Sequence, residues 1–210
     1  SELQRLKGLL PPEMQSWVFV ESAAAVDPPL ITLEEIGRDE VEIQVDLDAW
    51  DAMALDHRNL LFWHEVGRIQ NDTIPRDGWE MAALAIGLGG AIGELWVQDG
   101  LLLLMALGLS GFAGYRLYLK NNAEKRLQDA ISADERAIDL ACRFGYSVPN
   151  AYRSLGGALK DLVEQTRKKR RRGFYEDRLE ALRKSASKAR AEMAQQEGSR
   201  SSVSSENVYG

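Results

Sequence analysis

Apolar and polar positions change period several times along this 210-residue chain, and each change predicts an element. VEIQVDLDAW, Val41 to Trp50, alternates apolar and polar residues as a half-buried strand does. SWVFVESAAAV, further upstream, predicts a second strand. Asp46 or Asp48 is placed to cap a helix through Ala49, Trp50, Met53 and Ala54 and on into Leu60, Leu61 and Trp63. KNNAEKRLQDAISADERAIDLACRFGYSV predicts helix to about Phe144, with Gly145 as its stop. Pro149 and Asn150 open a further helix, AYRSLGGALKDLVEQTRKKRRR. Phe174, Leu179, Leu182, Ala186, Ala189 and Met193 recur at helical spacing and predict an amphipathic helix over 173–196. The remainder, 197–210, has the composition of a disordered tail.

The middle of the chain breaks this amphipathic pattern. WEMAALAIGLGGAIGELWV, Trp79 to Val97, carries only Glu80 and Glu94 as charges, and Leu101 to Tyr115 carries none before Arg116. With its flanks, each segment approaches the roughly 20 residues that cross a bilayer core. Trp79, Trp96, Tyr115 and Tyr118 stand at the ends, where interfacial aromatics belong. Gly89 with Gly93, and Ser110 with Gly114, would let two helices approach closely. The expectation is a two-helix transmembrane hairpin over 79–119, with a buried hairpin of a soluble protein as the alternative. Arg76, Arg116, Lys120, Lys125 and Arg126 flank it and its turn has no basic residue, so both termini are expected on the cytoplasmic or stromal side. The predicted fold class is mainly α with a small β element. Its segments are an acidic head with short strands (1–48), a helix (49–78), the hairpin (79–119), a second helical part (120–172), the amphipathic helix and the tail.

Charge and cysteine usage narrow the chemistry. Residues 1–56 carry net −10, 57–120 carry −1 and 121–210 carry +5, which suggests different surroundings for the two ends. One cysteine, Cys142, excludes an internal disulfide and a multi-cysteine zinc cluster. The opening residues, interrupted by Pro11 and Pro12, do not predict a secretory signal. Arg167, Lys168, Lys169, Arg170, Arg171 and Arg172 form an unbroken cationic run. It reads either as a solvated helix end favoured by the helix dipole or as a contact for anionic lipid head groups or an acidic partner. No recognition motif accompanies it, so nucleic acid is not expected as a partner.

One stretch raises a question of chemistry. LLFWHEVGRIQNDTI, Leu60 to Ile74, begins as a zinc-peptidase helix does, with His64 and Glu65, but has Arg68 four residues after the histidine. In such a helix two histidines four apart bind the metal, and the glutamate activates water. Beyond the apolar pair, SADERAIDLACRFG sets Glu135 one helical turn before Asp139. Together with SVPNAYRSLGGALKDL, this order resembles the HtpX-like and CAAX-prenyl-protease type of membrane metallopeptidase over about Val41 to Leu162. The resemblance implies His64 as first ligand, Glu65 as general base, Glu135 as third ligand and Asp139 as its partner. Arg68 falls on the second ligand and breaks it, because a guanidinium offers no lone pair and stays protonated. His57, seven residues from His64, lies about 10.5 Å away along the helix axis, too far for easy rescue. Arg68 would instead pair with Glu135 or Glu65.

These readings lead to a catalytically inactive, metallopeptidase-like integral membrane protein with no metal and no cofactor, acting as an assembly, scaffold or regulatory subunit. The whole chain also resembles uncharacterised proteins of cyanobacteria and plastids, which implies a thylakoid location and a membrane complex such as a photosystem as partner. An active membrane metalloprotease with an unorthodox site and a soluble helical adaptor are the alternatives.

Overall fold

A computed structural model describes residues 1–24, 26, 29–37, 40–73 and 100–206, and only the backbone path of 100–121 and 196–206. The chain divides into two compact units, Ser1–Ile74 with Leu127–Gly210, and Pro75–Arg126. In order, the elements are α1 (Glu2–Gly8), a 3₁₀ turn (Pro12–Met14), β1 (Val18–Ser22), β2 (Ile31–Glu35), β3 (Val41–Val45), α2 (Leu47–Trp50), α3 (Leu55–Gln70), α4 (Gly100–Arg143), α5 (Val148–Gln165) and α6 (Lys169–Glu206). The mainly helical class with a small sheet holds, and both expected strands form. Ile31–Glu35 adds a third that the pattern reading passed over.

The sheet has the order β1-β3-β2, with β1 parallel and β2 antiparallel to β3. Register sets Val18 beside Val41, Val20 beside Ile43 and Leu33 beside Ile43, so the apolar alternates of all three strands share one face. That face is buried, and Thr32, Glu34 and Glu42 occupy the other. Asp46 caps the next helix, accepting from the Ala49 N–H at 3.3 Å. The single helix expected from there to Trp63 is two, because the Ala54 backbone is extended (φ −60°, ψ 144°) and restarts the chain as α3. Trp50 is fully buried, and its indole N–H donates to Glu2 at 3.2 Å, which fastens α2 to α1.

Helix α3 is the centre of the first unit. Residues Asn59 to Gly67 are buried without interruption, so the helix is enclosed on every side instead of lying on a surface. Trp63 ties α3 to three other residues. It stacks tilted on Phe144 at 5.2 Å, meets Tyr146 edge-on at 5.7 Å and donates its indole N–H to the Leu9 carbonyl at 3.1 Å. Burying such a side chain is worth roughly 3 kcal/mol. Asn59 accepts from Arg5 at 2.6 Å and donates to the Tyr146 hydroxyl at 2.9 Å. His57 bonds Asp161 of α5 at 2.6 Å, its ring lying over Gly157, where a side chain would collide with it. It is committed to the α3–α5 contact.

Helix α4 passes close to α3 at Gly67. A Cβ there would stand 2.9 Å from the Ala133 carbonyl oxygen and 2.9 Å from the Arg136 Cβ. This approach sets the distance between the polar groups of the two helices. Beyond it, Gly145 at φ +92° ends the helical path, as expected of a glycine in the left-handed region. Pro149 stands in the first turn of α5, again as expected.

Three expectations are corrected. Among the described residues no helix is long and apolar enough to cross a membrane, so the fold class is not one interrupted by a transmembrane hairpin. The charge-free run Leu101–Tyr115 spans only about 22 Å as helix, short of the roughly 30 Å of a bilayer core, and it continues without a break into the polar part of α4. Its proposed partner, Trp79 to Val97, lies outside the described residues. Integral anchoring and the orientation of the termini rested on that hairpin. Second, the backbone is helical through 197–206, because extending an existing helix adds one hydrogen bond per residue without a new nucleus. Third, the cationic run does not end a helix; it spans the α5–α6 junction and begins α6.

The close approach at Gly67 makes a direct prediction. Gly67→Ala should force α3 and α4 apart and cost about 1–3 kcal/mol in chemical denaturation, as overpacking does. Gly8→Ala, with nothing within 4 Å of the added Cβ, should be neutral or stabilise by up to about 1 kcal/mol.

Candidate functional site

His64 and Glu65 lie in the enclosed part of α3, 4% and 2% exposed. Two polar side chains at that depth need partners. Arg68, one turn further on, donates to Glu65 at 2.8 Å from a half-buried position. The cation at the broken ligand position is therefore taken by the neighbouring glutamate of its own helix, the second of the two acids open to it in the sequence.

His64 faces two residues that the motif reading did not select. Asp134, on α4, places Oδ1 2.8 Å from the histidine Nδ1. Arg178, on α6, closes on Asp134 with a two-pronged pair, Nε to Oδ2 at 3.0 Å and Nη2 to Oδ1 at 2.6 Å. The same Nη2 lies 3.1 Å from the His64 Nδ1. Asp134 and Arg178 are each 3% exposed. The rings of Phe174 and Tyr175 flank the guanidinium carbon at 5.9 Å each, within cation–π range. One cluster thus joins α3, α4 and α6.

The charges can be assigned from these distances. The shortest contact of the imidazole is to a carboxylate, so Nδ1 carries the proton and donates to Asp134. Nε2 keeps its lone pair, with Glu65 Oε1 3.9 Å away, beyond hydrogen-bond reach. Burial pushes the His64 pKa down, the Arg178 cation adds to that, and Asp134 only partly opposes them, so the ring is neutral. Burial alone would raise the Asp134 carboxyl, but the guanidinium and the imidazole outweigh it and hold its pKa at about 2. Burial opposes the charge of Arg178 in turn, and Asp134 restores it and raises its pKa. The hydroxyl of the neighbouring Tyr175 is pushed up to about 12, chiefly by burial.

Glu135 and Asp139 are exposed. The structure pairs Glu65 with Arg68 but brings neither of these two to His64; Glu135 lines a small cavity with Asp134 and Arg178, and the residue facing His64 is Asp134, one position earlier. The periodicity of α4 contained the reason. Ala137, Ile138 and Ala141 mark its buried side, and Asp134 precedes them by three, four and seven residues. Arg178 carried the same kind of signal, since it stands four after Phe174 and four before Leu182, on the apolar side of its helix. Beside the cluster, Ile131, Ile138, Tyr152 and Leu182 help to line a cavity of about 10 Å³, room for about one water molecule. Among the described residues no group of three or more His, Cys, Asp or Glu is arranged to hold a metal ion. Each donor that the resemblance would give to zinc is instead turned outward or faces a guanidinium.

The cationic run is a separate feature. Arg167, Lys168, Lys169, Arg170 and Arg172 are exposed and Arg171 is half-buried. Arg172 reaches Glu176 at 3.7 Å, a pair exposed on both sides and worth little.

Comparison with known proteins adds a family. Residues 4–146 match the model of a family described as a protein of unknown function (DUF3318). The chain is 70% identical over 191 residues, 91% of its own length and 90% of the other's, to thylakoid membrane protein slr1949 of Synechocystis sp. (strain ATCC 27184 / PCC 6803 / Kazusa). No solved structure matches.

The buried cluster sets a pH dependence whose sign is fixed. The folded pKa of His64 lies below its unfolded value of about 6.5. Its contribution to stability is therefore complete above pH ~6.5 and lost as the pH falls below that. Asp134, at about 2 in the fold, contributes fully above the unfolded value of about 3.9 and loses this as the pH falls toward about 2. Melting temperature should accordingly fall on acidification in two stages. His64→Gln should abolish the upper stage and spare the lower; equal acid sensitivity of the two proteins between pH ~6.5 and ~4 would contradict the assignment.

Proposed function

We propose that this chain, which belongs to the DUF3318 family, acts at the thylakoid membrane by binding rather than by catalysis, as a scaffold or assembly subunit of a membrane complex. The relative's name supports the location. One observation carries the non-catalytic part: the groups that resemble a peptidase centre are closed on one another. The buried His64 directs its proton at Asp134, Asp134 is held by Arg178, and Glu65 is held by Arg68. General-base catalysis needs a carboxylate or imidazole within reach of a substrate, and the space beside this cluster admits about one water. The arrangement serves to fix helices.

The geometry does not extend the likeness to membrane zinc peptidases. Glu135, the residue matched to the third ligand, is exposed, and a guanidinium pairs with the acid that faces the histidine. Zinc binding to Asp134 would break its pair with Arg178 and strand a buried guanidinium, a cost of several kcal/mol. The chemistry of the donor set thus argues against zinc at this centre. A large membrane assembly, such as a photosystem, is the partner this reading calls for.

The test uses a tagged chain in thylakoid membranes solubilised with mild detergent and resolved by native electrophoresis. The protein should migrate with an assembly well above its own mass, and Glu65→Gln should migrate identically. Migration as a free monomer would overturn the scaffold role. Proteolysis of a membrane substrate that Glu65→Gln abolishes would overturn the non-catalytic one.

A further inference from the structure

The cationic run lies where the local structure disfavours it. Lys169 begins α6, and the Arg172 N–H bonds the Lys168 carbonyl at 3.0 Å, so Lys168 stands at the cap position. The N-terminus of a helix carries a partial positive charge, and cations there are destabilising. The first turn of α6 contains no acidic residue. From Leu162 to Asp177 the sequence holds six cations against Glu164, Glu176 and Asp177. A solvated helix end shaped by the dipole would have the opposite sign. The run is therefore placed against the helix dipole.

Its surroundings indicate what it meets. Successive residues turn by 100° around a helix, so Lys169 to Arg172 ring the start of α6 instead of forming a stripe matched to one groove. Phe174 is half-buried against the core and Tyr175 is buried, so neither neighbouring ring is fully open for a base to stack on. The lock between Arg178 and Asp134 lies within three turns of the run and fixes the start of α6 to the body of the unit. The first 56 residues carry net −10, so an anionic surface attracts the run and repels that segment. Finally, a protein 70% identical is a thylakoid membrane protein, yet among the described residues no helix can cross a bilayer.

We propose that Arg167–Arg172 is an electrostatic docking surface for anionic lipid head groups, by which the first unit lies against the membrane. This rests on the membrane location of the preceding section but not on the partner complex. Each cation near an anionic leaflet adds about fivefold to partitioning.

The experiment is co-sedimentation of the purified full chain with vesicles of phosphatidylcholine, with or without phosphatidylglycerol, at low salt and at about 0.5 M salt. Binding should require phosphatidylglycerol and be lost in high salt. The triple variant Arg167→Gln/Lys169→Gln/Arg170→Gln should bind about a hundredfold more weakly. It should melt at the same temperature or higher, since cations have left a helix N-terminus. Arg183→Gln/Lys184→Gln/Lys188→Gln, exposed further along α6, should bind like the unaltered protein. Equal binding to both vesicle types, retention in high salt, or an equal loss in the second triple variant would overturn the proposal. Binding to a single-stranded oligonucleotide but to neither vesicle would replace it with a nucleic-acid surface. Failure here with intact co-migration in native electrophoresis would leave the scaffold reading standing, and the reverse result would leave only the lipid surface.

Discussion

The first unit is organised by a helix with no exposed face that nevertheless carries polar side chains. Nine consecutive residues of α3 are buried, and three of them, Asn59, His64 and Glu65, cannot be left without partners. A buried polar group without a hydrogen bond costs several kcal/mol, and an unpaired charge costs more. The surrounding elements meet this constraint one by one. Arg5 and Tyr146 satisfy Asn59, Arg68 satisfies Glu65, and Asp134 satisfies His64. Asp134 is itself a buried charge, and Arg178 completes the set. Partners from α1, α4 and α6 can converge on α3 only if those helices sit where they do.

The same constraint separates fixing a structure from performing chemistry. A histidine and two carboxylates in one region are raw material for acid–base or metal catalysis, but catalytic groups need a free lone pair directed at open space. Here the guanidinium of Arg178 holds Asp134, and Arg68 holds Glu65. The pairing of these carboxylates with two guanidiniums makes the helix packing specific. Away from this cluster, the cationic run and the first 56 residues carry charge of opposite sign.

Much of the helical frame was legible because local signals and tertiary packing agree. Gly145 and Pro149 mark ends that the structure keeps, and the alternation in Val41–Val45 is the central strand. The site was half legible. Glu65 and Arg68 do pair, since a three-residue spacing on one helix brings them together. Across helices the family resemblance pointed to Glu135, whereas the buried side of α4 carries Asp134. Arg178 was hidden for a related reason: a charged residue within an apolar stripe is usually passed over, although that position is where a buried pair announces itself. The apolar run at Leu101–Tyr115 shows the opposite failure. Composition suggested a membrane span, whereas length and the continuous helix into polar sequence decide against one. The junction at Thr166, which moves the cationic run from a helix end to a helix start, had no strong sequence marker, since neither glycine nor proline interrupts 158–172.

The central claim is that Asp134 and Arg178 act as one unit that fixes α6 against α3 and α4. A double-mutant cycle in chemical denaturation tests it most directly. Asp134→Asn and Arg178→Met should each cost about 3–5 kcal/mol, because each strands a buried partner. The double variant should cost far less than their sum, with a coupling of at least about 1 kcal/mol. Additive losses, within about 0.5 kcal/mol, would show that the two residues stabilise the fold independently and would contradict the account.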